Sequence, residues 1–132
     1  MTESQYLIRL PWPPQRTSPN ASGQGKWRDK AKAAKSYKAT CAKECSAQAV
    51  RPLTSPACSV RVTYCPPTNN RIDWDNMASR CKQGFDAVSE AIGIDDGKWW
   101  PVISERGPKT TGGCVLVQIY PHVEVPLNGG VS

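Results

Sequence analysis

The sequence predicts an α/β (α+β) fold, a small mixed β-sheet of about four strands packed with two main helices. Three observations lead there. The chain has 132 residues, the span of one domain with room for a real core. Its hydrophobic content of 39% is too high for a disordered chain, while 10 Gly and 12 Pro promise generous loops. Short β-like stretches alternate along the chain with longer ones at helical spacing. A single domain is expected over residues 1–121, followed by a weakly ordered tail over 122–132.

The first strand is YLIRL (6–10), which alternates apolar and polar residues until PWPP (11–14) stops it, because proline cannot donate to a ladder. Residues 15–25 are mostly Ser, Asn, Gly and Pro and read as a loop. A helix follows, with Trp27, Ala31, Ala34, Cys41 and Cys45 on one stripe and Lys32, Lys35 and Lys43 across from it. Cys41 and Cys45 stand at i,i+4 but have no further ligands near them in sequence, so they read as small core residues rather than a metal site.

CSVRVTYC (58–65) alternates again and ends at Pro66-Pro67. A second helix is expected from Asn76 to Ile92, burying Met77, Cys81, Phe85, Val88 and Ile92, with Gly93 ending it. IDDGK (94–98) reads as a tight turn. WWPVISERG and CVLVQIYP read as two strands paired in a hairpin, with Pro101 placing the first at an edge or a bulge. Trp99 and Trp100 are open between core, a subunit interface and a wedge that separates bases, with core as the default because Trp is highly buried on average.

The charge is unevenly spread. Residues 1–55 hold ten Lys/Arg against three Asp/Glu, and residues 56–132 hold seven against eight. A basic segment on a small domain suggests an anionic partner, nucleic acid first. The six cysteines form no CxxC pair and no signal peptide precedes them, so a reducing cytoplasm is expected rather than a disulfide scaffold. The longest apolar run, VLVQIY, is interrupted by Gln118 and is too short to span a bilayer, so no membrane role is indicated.

The chemistry concentrates in RIDWDNMASRCKQGFDAV (71–88). If residues 71–75 are extended, Asp73 and Asp75 face one side, and at an effective dielectric of about 20 two carboxylates roughly 4 Å apart repel by about 4 kcal/mol. A cation has to relieve them. Arg71, on the same face, offers a surface pair, whereas a metal ion would draw on Asp95-Asp96 as well. A helix from Asn76 to Ile92 is about 25 Å long, so Asp96 meets Asp73 only if the chain folds back along it. Asp75, Ser79, Lys82 and Asp86 form a polar stripe on that helix. Lys82 is open between an i,i+4 pair with Asp86 and a cation for a phosphate.

LPWPP after a short strand, DWDN followed by Lys82 and FDAV, and then GIDDGKWW together resemble the RusA family of Holliday-junction resolvases, typically encoded by phages and prophages. The resemblance spans roughly residues 6 to 120. It implies a crossover junction endodeoxyribonuclease of DNA recombination and repair, in which Asp73, Asp75 and Asp96 hold Mg²⁺, with Mn²⁺ as a substitute, and Lys82 is the accessory catalytic lysine. It implies a homodimer acting on branched DNA, the four-way junction. Arg16, Lys26, Lys32, Lys35 and Arg71 are the expected DNA contacts. Two other classes compete: a branched-DNA or duplex-DNA binding protein of the same fold without turnover, and a structural subunit whose acids bind a partner's arginines.

Overall fold

Period-two alternation becomes four strands and helical spacing becomes one face of α/β packing. In the computed structural model, residues 4–14, 26–70 and 72–122 are described, with Lys26 and Trp27 described by their backbone alone. The elements are β1 (Tyr6–Pro11), α1 (Lys26–Ala47), β2 (Cys58–Cys65), α2 (Met77–Arg80), α3 (Lys82–Ile92), β3 (Trp99–Arg106) and β4 (Cys114–Pro121). The sheet runs β1-β4-β2-β3. β4 is antiparallel to both neighbours and β2 is parallel to β3, so the sheet is mixed, as the sequence predicts.

The expected hairpin of the last two strands does not form. β4 lies between β1 and β2, and β3 pairs with β2. The physical reason is burial: β4 places Val115, Val117 and Ile119 in the core, where two neighbouring strands cover them, whereas nearly all of β3 is exposed. A parallel β2–β3 pair needs a long connection, and the segment carrying α2 and α3 supplies it. Pro101 does sit in an edge strand, beside a register shift in the pairing between Cys58 and Val60.

Cross-strand rows build the core. Tyr6–Ile119–Val60, Ile8–Val117–Val62 and Leu10–Val115–Tyr64 stack on the helix-facing side. Fully burying a Val, Leu or Ile side chain contributes about 1.5–3 kcal/mol, so these rows dominate the stability of the sheet.

α1 docks by its second half. Tyr37, Cys41 and Cys45 are buried at i, i+4, i+8, whereas Ala31, expected on the same stripe, is exposed. Among the described side chains of α1, Tyr37 is the first that is fully buried.

The expected helix from Asn76 to Ile92 forms as α2 and α3, distorted at Cys81 (φ −91°, ψ 0°), where Cys81 N–H still donates to the Met77 carbonyl and Phe85 N–H to the Cys81 carbonyl, both at 3.0 Å; Trp74–Asn76 forms a three-ten turn before them. Its buried stripe holds nonetheless: Met77, Cys81, Val88 and Ile92 are in the core and Phe85 packs against it. Gly93 ends α3 in the left-handed region at φ 73° and donates its N–H to the Ser89 carbonyl. All six cysteines are free thiols and buried, Cys41 and Cys45 among them. No described helix is long and apolar enough to cross a membrane.

Candidate functional site

The turn carrying Asp73 and Asp75 is not extended. Asn76 donates its backbone N–H to the Asp73 carbonyl at 3.1 Å and its side-chain amide to Asp73 Oδ2 at 2.7 Å, which closes a three-ten turn. Asp73, with extended backbone at φ −80° and ψ 92°, caps this turn and Asp75 lies within it, so the uninterrupted extended run expected over residues 71–75 does not form.

Trp74, between them, docks this turn. Its ring packs near Tyr64 at a centroid distance of 6.5 Å, and the Arg106 guanidinium lies 4.7 Å from its centroid. Asp73 and Asp75 are thus presented to solvent beside the end of β3.

Asp96 comes from the other end of β3. Lys98 donates its N–H to the Asp95 carbonyl at 2.8 Å, forming the tight turn expected of IDDGK. Two contacts press the following segment onto α3: Trp99 is buried with its indole N–H on the Ile94 carbonyl at 3.1 Å, and its ring meets Phe85 edge-on at 6.3 Å. The turn therefore folds back along the helix, and Asp96 Oδ2 comes within 3.5 Å of Lys82 Nζ. Lys82 also lies 3.2 Å from Asp86 Oδ1. The hydrogen bond and charge of Asp86, then the charge of Asp96, raise the Lys82 pKa above its ordinary value. The ammonium is held between two acids from separate segments.

The site residues named from sequence thus divide. Lys82 and Asp96 are brought together, with Asp86 as a third member. Asp73 and Asp75 stand on the docked turn, Asp73 engaged with Asn76. Among the described residues, no three His, Cys, Asp or Glu side chains form a group able to hold a metal ion. Asp96 is turned onto Lys82 and Asp73 accepts from the Asn76 amide, so two of the three carboxylates that the family resemblance assigns to a divalent ion are engaged with protein groups.

The basic surface is partly visible. Lys32 and Lys35 are exposed on α1, and Lys38 instead pairs with Glu90 of α3 at 2.9 Å. Arg16 and Arg71 lie outside the described residues, as do the loop over 15–25, the side chain of Lys26 and the tail over 123–132.

One residue of this region, Arg80, is left out of the sequence reading, and another, Trp100, is misplaced by it. Arg80 is buried at 8% exposure, donates to the Pro13 carbonyl at 2.8 Å and stands 5.7 Å from the Trp12 ring centroid, so it ties α2 to the PWPP turn. Its signal was its place three residues after Met77, on the buried side of the helix. Trp100, expected in the core, is 76% exposed on β3. The alternation of a strand sends adjacent residues to opposite faces, and only Trp99 faces α3.

No family model matches the chain. It is similar to an uncharacterized protein of Xylella fastidiosa (strain Temecula1 / ATCC 700964), with 30% identity over 126 residues that cover 93% of this chain and 81% of that protein.

Proposed function

The chain belongs to the same family as that Xylella fastidiosa protein, and for it we propose an endonuclease that hydrolyses phosphodiesters of branched DNA, the four-way junction first. The observation that carries the reading is the return of the IDDGK turn onto α3, which sets Asp96 beside Lys82. That return brings Asp96 to Lys82 and Asp86 of the other acidic segment, and the ordered motifs LPWPP, DWDN and GIDDGKWW support the reading. A reducing cytoplasm, where DNA recombination and repair proceed, suits six free thiols.

The roles follow from charge. Exposed Lys32 and Lys35 on α1 hold the phosphate backbone through salt-sensitive contacts. Lys82, drawn from Asp96 to the scissile phosphate, offsets the charge that develops there. Mg²⁺, with Mn²⁺ as a substitute, belongs to the reading as cofactor, and its binding needs Asp73 to leave Asn76 and Asp96 to leave Lys82. Two equivalent strands of a junction are cut by two equivalent sites, so the acting species is a homodimer.

Those same closed pairs favour a second reading, a branched-DNA or duplex-DNA binding protein of this fold with no turnover. A labelled four-way junction with Mg²⁺ separates the two, because a binder shifts the DNA and never nicks it. In the nuclease, Asp75→Asn abolishes cutting with junction binding retained, and Lys82→Ala slows cutting about 100-fold. Full activity of the Asp75→Asn protein would exclude the assignment.

A further inference from the structure

Away from the acidic turn, an open groove of about 660 Å³ runs between the PWPP turn and the first half of α1. One wall is flat and apolar, made by Trp12 between Pro11 and Pro14. The other wall is helical, with Asp29, Lys32 and Ser36 facing the same space. This volume lies within the range of sites for small molecules, roughly 300–1,000 Å³.

The groove is held in shape from behind. Buried Arg80 braces Trp12 and Pro13. Gly113, at φ 71°, lets Trp12 approach so closely that an added Cβ would lie 2.9 Å from the Trp12 Cβ. Tyr37 donates its hydroxyl to the Pro11 carbonyl at 2.7 Å and is fixed as part of the floor. Thr40 spends its hydroxyl on the Ser36 carbonyl. The chemistry of the groove is therefore an indole, an ammonium at Lys32, a carboxylate at Asp29 and a hydroxyl at Ser36.

We infer that this groove receives one unpaired nucleotide of a DNA strand, its base against Trp12, its phosphate at Lys32 and its exocyclic amine at Asp29. Base–aromatic stacking accepts every base, so the indole supplies affinity without sequence preference. Asp29 disfavours phosphate alone and suits a ligand that also brings a donor, since a carboxylate in the same groove repels an anion. Adenine, cytosine and guanine carry an amino donor and thymine does not, so the groove prefers the first three. A paired base is stacked within its duplex and does not reach the indole. The inference rests on the reading of DNA as partner, and unpaired nucleotides are what a branch point offers.

The test is NMR on the ¹⁵N-labelled full chain, titrated with a short single strand of thymines, the same strand with a central cytosine, and a blunt duplex. Expected are shifts at the Trp12 indole N–H and at Lys32 with the single strands, tighter for the one with cytosine. Ala33→Trp fills the groove from its helical wall without changing charge. It is expected to weaken single-strand binding about tenfold while duplex binding changes less than about twofold. Trp12→Ala should act likewise, and Ala33→Trp covers the case in which that variant fails to fold. Unchanged single-strand affinity in Ala33→Trp overturns the inference. So does a groove already filled by residues 15–25, seen as Trp12 shifts on replacing that segment with Gly and Ser but none on adding DNA. Junction cutting by the wild type without groove shifts removes the groove alone; groove shifts without cutting remove the nuclease alone.

Discussion

Gln48 closes the sheet with a single side chain. Its amide accepts from the Arg9 N–H and donates to the Arg9 carbonyl, both at 2.8 Å, as a neighbouring strand would. An edge strand otherwise offers unpaired groups to other chains. Gln48→Ala removes both bonds from an exposed position and is expected to lower stability by about 1–2 kcal/mol without changing the fold, measured by urea unfolding. An unchanged midpoint would show that water replaces the amide at no loss. Nothing in the sequence marks Gln48 for this role, because its partner lies 39 residues away. The pairing of Trp99 and Trp100 shows the same limit: two identical residues differ only in which side of β3 they meet.

At the scale of elements, the contact between α1 and α3 turns on Gly84. A Cβ there would lie 3.0 Å from Tyr37 Cε2, 3.2 Å from Cys41 Sγ and 3.3 Å from Leu10 Cδ1. Tyr37 cannot swing aside without losing its bond to Pro11. Gly84→Ala is therefore expected to destabilise by about 1–3 kcal/mol through overpacking, read as a lower Tm. Because Tyr37 floors the groove beside Trp12, the same variant should shift the Trp12 indole resonance, whereas a loss from helix propensity would not. Alanine has the better propensity, so a rise in Tm would show that α1 and α3 separate freely. The buried stripe of α2 and α3 was legible from spacing, and the distortion at Cys81 was not.

At the scale of the whole molecule, burial sets the response to pH. Desolvation pushes the Cys41 and Cys81 thiols up to about 12 and Tyr64 up to about 12. The native state holds these protons more tightly than the unfolded chain, whose thiols ionise near 9. Their contribution is complete below about pH 9 and is lost as pH rises toward 12, at about 1.4 kcal/mol per pH unit for each group. Thermal unfolding followed from pH 7 to pH 11 should show a flat Tm at first, then a steep fall above pH 9. A fall already complete below pH 8 would mean that these thiols are not buried. The charge asymmetry belongs to this scale too. Most cations of α1, Lys26, Arg28, Lys30, Lys32 and Lys35, precede Tyr37, whereas Lys38 and Lys43 share the half that buries Tyr37, Cys41 and Cys45.

The sequence by itself determined the inventory: four strands, their alternating faces, the helices, the edge character of the Pro101 strand, and the acidic segments in their order. These are local properties, decided by periodicity, proline and glycine within a few residues. Tertiary structure alone decided that β4 lies inside the sheet, that Asp96 returns to Lys82, and that Asp73 and Asp75 stand on a turn docked by Trp74 against Tyr64 and Arg106. Strand order and side-chain convergence follow from which apolar surfaces bury each other across long separations, and spacing along a chain carries no measure of that.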